Sequence, residues 1–406
     1  MKKHILLITQ YFYPEQFRIN DICSEWIKKG YEVTVVTSIP NYPKGKFFEG
    51  YGLFKKRKEN YNGINIIRIP VISRGNDNLI KMSLNYLSFV VSGFFWKIFN
   101  KIDADLIFNY TTSPIFQALP AVWYSKKKKI PCYIYVLDMW PQSLEAVTGV
   151  KSKFIIKSIQ KICDYIYKNS TKIFVSSRGF IEPIASRDVS LDKLVFWPQY
   201  AEDFYRPIEK REVNITEIPS DDKFNIIFAG NIGYAQGLEI LPEVAELIKL
   251  NNKDIRLCMV GNGRYKETLV KTIKEKKLED VFCFIDSQPP ERIPEFMAFC
   301  DASLVVLQKN DLFAMTVPAK IQSCMACGIP IVLSADGETQ RIVQESGCGV
   351  FSEAGNATEL FNNIVEISQK SKDEILQMRK NARNYFDNHY KKDILLSKMD
   401  EYINNI

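Results

Sequence analysis

Strand-length apolar runs alternate with helix-length amphipathic stretches twice over in this chain, and that alternation constrains the fold more than any other feature. In the first half the strand runs fall at residues 5–9, 32–37, 64–69, 106–110, 133–137 and 172–176, with helical patterns over 20–29, 79–99, 115–126 and 153–169. Crossovers longer than ten residues between strands call for a parallel sheet covered on both faces. The pattern restarts at Phe224, with strands expected over 224–229, 256–260 and 281–285, and closing helices near 373–388 and 393–403. A chain of 406 residues exceeds one ordinary core. The expected organisation is therefore two doubly wound, Rossmann-like domains, 1–201 and 223–386. The linker is 202–222, rich in Glu, Asp, Pro and Ser, and 387–406 is a C-terminal helix packing back on the first domain.

Charge divides the halves. Residues 1–200 carry 29 Lys plus Arg against 15 Asp plus Glu, while the remainder carries 25 against 32. A basic first half asks for an anionic partner such as a membrane surface, a lipid phosphate or a nucleic acid. The short runs Lys55-Lys-Arg-Lys58 and Lys126-Lys-Lys-Lys129 lie between expected elements and read as solvated surface. The nine cysteines are scattered, several within apolar strands (Cys132, Cys258, Cys283), as expected of small core residues in a reducing compartment. Cys324 and Cys327 form a C-x-x-C in mid-helix without a second pair or a nearby histidine, which argues against zinc and against a redox pair. With His4 and His389 as the only histidines, chemistry built on a histidine base or a histidine metal cluster is nearly excluded.

The first strand follows Met-Lys-Lys-His directly and is too short for a signal peptide or a membrane span, so a cytoplasmic protein is expected. The long apolar stretch 79–99 is interrupted by Lys81, Asn85, Ser88, Ser92 and Lys97. It reads either as a domain-packing helix or as one that also lays an aromatic and basic edge on a bilayer.

The second half carries the chemistry. In Thr316-Val-Pro-Ala-Lys-Ile-Gln-Ser-Cys-Met-Ala-Cys-Gly-Ile-Pro330 a loop feeds a helix that Pro318 opens and Gly328 and Pro330 close. Free backbone N–H groups around Thr316 to Ala319, with Lys320 one turn in, outline an anion site at the positive helix end, although an ordinary αβ unit with a proline start reads the same way. Upstream, Gly230-Asn-Ile-Gly-Tyr-Ala-Gln-Gly237 follows one strand and Gly261-Asn-Gly263-Arg264 the next. Gly261 and Gly263 look like the start of a dinucleotide fingerprint, but Lys266 stands where the third glycine would be.

These motifs together resemble the GT-B glycosyltransferases, narrowed by their residues to the retaining family 4 type: Gln10-Tyr-Phe-Tyr-Pro-Glu15 with Arg18, Leu137-Asp-Met-Trp-Pro141, Gly230 to Gly237, Val260-Gly-Asn-Gly263, and Pro318-Ala-Lys320 through Met325-Ala-Cys-Gly-Ile-Pro330. The chain looks like the capsule and O-antigen subgroup that includes the N-acetyl-fucosamine transferases. The resemblance implies two Rossmann-like domains facing across a cleft, the first binding acceptor and the second a nucleotide-sugar donor. Gln10, Tyr13, Glu15 and Arg18 are then acceptor-side residues; Gly230, Asn231, Gly233, Gln236, Arg264, Thr316, Val317, Pro318 and Ser323 bind the donor; Asp138 and Lys320 are catalytic. Departures are definite. The family's Glu-x7-Glu falls on Met315 and Ser323, its glycine-turn Arg and Lys fall on Asn231 and Gln236, and its first-domain histidine corresponds to Asp138 or its neighbour. Lys320 and Arg264 are left to supply the cationic charge.

The implied activity is a retaining, metal-independent hexosyl transfer from a UDP-sugar, taken as substrate with no cofactor, onto a lipid-diphosphate-linked sugar. Helix N-termini and a lysine stabilise the leaving diphosphate without a metal. Asp103-Ala-Asp105 matches the metal-binding Asp-x-Asp of the other glycosyltransferase fold, but it precedes a first-half strand and reads as a solvated loop. An anionic membrane surface is the expected partner and nucleic acid is not, with the protein peripheral to the inner face of the cell membrane. The rivals are a nucleotide-sugar 2-epimerase on the same fold, disfavoured by the scarcity of histidine, and a non-enzymatic basic peripheral membrane-binding protein, disfavoured by the acidic second half and its phosphate site.

Overall fold

The computed structural model describes residues 2–75, 79–149 and 152–406, and these form two compact units, one of 1–197 with 398–406 and one of 198–397. In the first unit the elements run β1 His4–Ile8, α1 Arg18–Lys28, β2 Glu32–Ser38, β3 Lys58–Tyr61, β4 Ile64–Ile69, α2 Leu79–Phe99, β5 Leu106–Thr111, α3 Leu119–Lys128, β6 Cys132–Val136, α4 Gln142–Thr148, α5 Lys153–Lys168, β7 Lys172–Val175, α6 Ile181–Ala185 and β8 Leu194–Phe196. They build an eight-stranded sheet in the order β3-β4-β2-β1-β5-β6-β7-β8. Every pairing is parallel except β3 with β4. β1 is central, with Ile5 opposite both Val33 and Leu106. It is buried on both faces, which is why it reads as a continuous apolar run. In α1, Ile19, Ile22, Cys23 and Trp26 recur at helical spacing and face inward.

The second unit repeats the design with β9 Phe224–Ala229, α7 Leu241–Leu250, β10 Ile255–Val260, α8 Lys266–Glu275, β11 Phe282–Ile285, α9 Ile293–Phe299, β12 Ala302–Val306, α10 Asp311–Ala314, α11 Ala319–Cys327, β13 Ile331–Ser334, α12 Glu338–Ser346, β14 Gly349–Ser352, α13 Ala357–Ser368 and α14 Lys372–His389. The sheet is wholly parallel, in the order β11-β10-β9-β12-β13-β14. Apolar clusters cover both of its faces, one centred on Ile227, Val305 and Met325, the other on Ile226, Phe228 and Leu304. Neighbours in β9 thus serve opposite cores, as the two-residue side-chain period demands. α14 opens on a capping box in which Ser371 and Glu374 bond reciprocally.

The segment 202–222, expected as a linker, belongs to the second unit. Ile215 and Ile218 are buried in its core, and Asp221 grips the guanidinium of Arg256. Its polar composition concealed two apolar anchors. The last helix, α15 Lys392–Asn404, begins in the second unit and ends in the first. There the Tyr133 hydroxyl donates to the carbonyl of Tyr402 at 3.0 Å, the Tyr402 ring meets Phe174, and Lys3 Nζ donates to the carbonyl of Ile403 at 2.8 Å.

Candidate active site

Open parallel sheets bind ligands beyond the carboxyl ends of their strands. In the second unit the loops leaving β9 and β10 are locked there: the amide of Gly230 donates to Val260 O and that of Ile232 to Asn262 O, both at 2.9 Å. Gly230 and Gly261 adopt φ of 140° and 147°, and a Cβ on Gly261 would stand 1.9 Å from Gly230 O. Only glycine permits this approach. Lys266, in place of a third glycine, donates from Nζ to Gly261 O at 3.1 Å and to Asp286 at 2.8 Å, so the position where a dinucleotide fingerprint needs free space is filled by a cation bracing the loop.

Under the Gly230 turn lies Lys320, the second residue of α11. Its Nζ donates to Gln236 Oε1 at 2.6 Å and sits 3.5 Å from the centre of the Phe228 ring. A Cβ on Gly230 would come within 2.8 Å of Lys320 Cε, so the turn rests directly on this side chain. Burial against Phe228 lowers the lysine's pKa from 10.5 to about 7. Lys320, Gly230 and Gln236, separated by up to 90 positions, are thereby brought to one point. Asn231 is exposed at the same turn while Gly233 is buried, and Arg264 stands exposed on the neighbouring loop.

The start of α11 departs from expectation. Pro318 is its N-cap, with extended backbone, rather than its first helical residue. The amide of Thr316 is not free: it donates to Phe313 O at 3.1 Å, the Thr316 hydroxyl donates to Leu312 O at 2.7 Å, and Thr316 O accepts from Thr339 at 2.9 Å. Thr316 closes the turn of α10, and Val317 is a core side chain at 9% exposure. Ala319 and Lys320, at the first two helical positions, have amides without intrahelical acceptors and so carry the anion-binding character. Ser323 donates to Ala319 O at 3.2 Å, one turn back along the helix.

In the first unit, Gln10 and Glu15 are buried, at 0% and 1% exposure, so neither offers surface to an acceptor. Both hold loops instead. The Gln10 amide donates to Gln117 Oε1 at 2.9 Å, and its Nε2 donates to Asn85 Oδ1 at 2.8 Å. Glu15 Oε1 accepts the amides of Asn41 and Tyr42 at 2.8 and 2.7 Å, tying the loop after β1 to the loop after β2. Burial raises the Glu15 pKa to about 7 against the pull of those amides. Tyr13 is half-buried, stacked on Tyr61 with ring centres 3.6 Å apart, and Arg18 opens α1 close enough to Tyr135 to act on it electrostatically. Asp138 lies just past the end of β6, accepting from Ser113 Oγ at 2.7 Å, while that oxygen accepts from Trp140 Nε1 at 3.0 Å. Burial raises the Asp138 pKa. Asn85, Ser113, Gln117 and Phe228 were not among the expected site residues; Ser113, adjacent to a proline in an expected loop, and Asn85, a polar break in the apolar stretch 79–99, carried a local signal.

Other motifs serve structure. Asp103 and Asp105 sit before β5, where Asp105 accepts the His4 amide at 2.7 Å, Asp103 O bonds His4 Nδ1 at 2.6 Å, and Lys128 pairs with the Asp103 carboxylate at 2.6 Å. That is the amino end of the strands, opposite the loops just described. Cys324 is buried with Sγ 3.0 Å from Ser303 Oγ, and burial pushes its pKa up to about 11. Among the described residues no group of three or more His, Cys, Asp or Glu could hold a metal ion.

Two parallel-sheet α/β units of this kind define the GT-B class. Sucrose-phosphate synthase from Thermosynechococcus elongatus matches 100% of this chain with 99% of its own at TM-score 0.72 and 16% identity. Anabaena Alr3699/HepE, solved in complex with UDP, matches over 100% of both chains at TM-score 0.69 and 15% identity. Such likeness speaks for the fold. Residues 210–385, which lie within the second unit, match the model of the glycosyl transferases group 1 family. In sequence the chain is 23% identical over 332 residues, 78% of each chain, to WcaI of Escherichia coli, a protein named as a glycosyl transferase of colanic acid biosynthesis.

Proposed function

We propose that the chain is a retaining, metal-independent hexosyltransferase of the family 4 type. In this reading it moves an N-acetylated sugar from a UDP donor onto a lipid-diphosphate-linked sugar in capsule or O-antigen polysaccharide synthesis, at the cytoplasmic face of the cell membrane. One observation carries the reading: a lysine on the first turn of α11 lies beneath the glycine turn of β9, within the domain that matches the group 1 family. The name of WcaI supports a role in surface polysaccharide assembly, and the UDP complex of HepE supports UDP as the nucleotide.

The chemistry follows from that placement. As the bond between the anomeric carbon and the diphosphate oxygen breaks, negative charge grows on the leaving group. Lys320 Nζ and the amides of Ala319 and Lys320 neutralise it in a partly dehydrated setting, where such interactions are strong. The acceptor hydroxyl attacks from the same face, its oxygen bonds to the anomeric carbon, and its proton passes to the departing phosphate oxygen. Asp138, whose pKa is raised by burial, accepts a hydrogen bond from the acceptor hydroxyl.

The test is a screen of UDP-N-acetyl sugars against a polyprenyl-diphosphate-linked sugar, with products identified by mass and anomeric configuration by NMR. UDP release that requires acceptor, with an α-linked product from an α-linked donor, is the expected result. UDP release without acceptor, accompanied by a 2-epimerised sugar, would replace transfer by epimerisation.

A further inference from the structure

α2 has two apolar faces. Asn85, Phe89, Val90, Gly93 and Trp96 are buried against the first unit. Gly93 is held so close to α3 that a Cβ there would stand 2.4 Å from Pro120 Cγ. Ile80, Leu84, Leu87, Val91, Phe95 and Ile98 are each more than two-fifths exposed. At about 100° per residue they form one stripe, centred nearly opposite the buried one. Lys81 and Lys97 fall roughly 100° to either side of it, and the 21-residue helix contains no Asp or Glu.

We propose that this outward stripe is a docking surface for an anionic lipid bilayer, on which α2 lies in the plane of the membrane. The helix has the length and hydropathy of a membrane span. Its opposite face, however, is committed to protein packing and to a buried asparagine, so it can enter the interface only sideways. The chemistry of the rim selects the partner. An acid-free apolar stripe edged by Lys81 and by Lys97, whose ammonium lies 4.5 Å from the Phe94 ring centre and 5.5 Å from that of Trp123, complements anionic lipid. The surrounding half of the chain adds a charge excess of the same sign.

Docking also positions the candidate acceptor loops. Asn85 Oδ1 accepts from Gln10, and its Nδ2 donates to Asn41 Oδ1 at 3.3 Å and to Ile72 O at 2.6 Å. The turn of α2 that carries Leu84 and Leu87 outward is therefore bonded inward to the loops after β1 and β2. Lys127 Nζ caps the far end, donating to the carbonyls of Lys97 and Ile98 at 2.6 and 2.9 Å. The proposal deepens the membrane side of the transferase reading, but its test uses no donor and no acceptor, so the two can fail separately.

The full chain is co-sedimented with vesicles of phosphatidylglycerol and phosphatidylcholine, or of phosphatidylcholine alone, at low and high salt. Binding to the anionic vesicles that weakens in high salt is expected. Leu87→Glu with Val91→Glu should weaken it at least tenfold, and Lys81→Glu with Lys97→Glu should remove the preference for anionic lipid, both with melting temperatures within 2–3 °C of the parent, roughly the scatter of surface substitutions. Absence of binding to either vesicle, equal binding to both, or wild-type binding by the double-glutamate variant overturns the proposal. So does a dimer in analytical ultracentrifugation that the same glutamates dissociate, because a second copy then covers the stripe.

Discussion

Lys320 should make donor binding a proton-uptake reaction. The lysine meets a diphosphate only as an ammonium, yet burial over Phe228 lowers its pKa from 10.5 to about 7. A diphosphate beside Nζ restores the charged form, so binding draws a proton from solvent wherever the free protein holds a neutral amine. With a pKa of about 7, uptake on binding UDP should be about 0.5 proton at pH 7 and about 0.9 at pH 8. The terminal phosphate of UDP is already ionised at pH 8. Above pH 7 the Kd should rise by up to about tenfold per pH unit, about 1.4 kcal/mol, until the pKa of the complex is reached. The assay is titration calorimetry at pH 8 in buffers of different ionisation enthalpy, whose apparent enthalpies then differ by the protons transferred. Lys320→Met preserves the apolar stem and removes the charge; it should abolish the buffer dependence and weaken UDP by roughly 1.5–3 kcal/mol. Stability has its own sign. Between about pH 7 and the ordinary lysine value the unfolded chain holds more protons than the folded one, so this group makes wild-type stability rise with pH there. Lys320→Met should lack that rise and be no less stable at pH 6, where the wild type carries a poorly solvated ammonium. A binding enthalpy at pH 8 independent of the buffer would refute the reasoning.

Glu15 gives the opposite slope. Its folded pKa of about 7 exceeds the ordinary 4.5, so its contribution to stability should fall as pH rises through that window, by at most roughly 3 kcal/mol; in Glu15→Gln the difference in denaturation midpoint between pH 5 and pH 7.5 should shrink accordingly. Asp138→Asn should keep its fold and UDP affinity while lowering turnover at least tenfold, and a normal rate in steady-state kinetics would leave Asp138 as a partner of Ser113 alone. Turnover should persist in EDTA; complete loss restored by magnesium or manganese would overturn a mechanism resting on Lys320 and the α11 amides.

Periodicity made most of the architecture legible. The strands β1, β2, β4 to β7 and β9 to β11 read as apolar runs, with expected bounds within two residues of the observed ones, whereas β12, β13 and β14, four or five residues each, had no expected bounds. β3 went unseen because Lys58-Glu-Asn-Tyr61 is a polar edge strand, although Asn62-Gly63, both at positive φ, is a strong hairpin-turn signal between it and β4. β8 is three residues long and offers no period to read. At the candidate site, glycines and prolines marked the loops correctly, since their backbone requirements are local. What escaped was pairing across the chain. Nothing in the sequence says that Lys320 rests on Phe228, or that Gln10 is consumed by Gln117 and Asn85, because such contacts depend on how neighbouring strands are ordered. Thr316 shows a related failure: loop composition suggested free amides, but a short helix at 311–314 takes the Thr316 amide for its own closing turn.

The first unit is discontinuous in the chain, completed by 398–406 after the whole of 198–397 has intervened. During synthesis the second unit can fold as soon as it clears the ribosome, whereas the first waits, with Tyr133 and Phe174 lacking Tyr402, until 398–406 emerge. A fragment ending near Trp197 therefore does not represent that unit. Expression of the first half alone should require 398–406 to be fused back through a linker, and without it the fragment should expose this aromatic seam and aggregate.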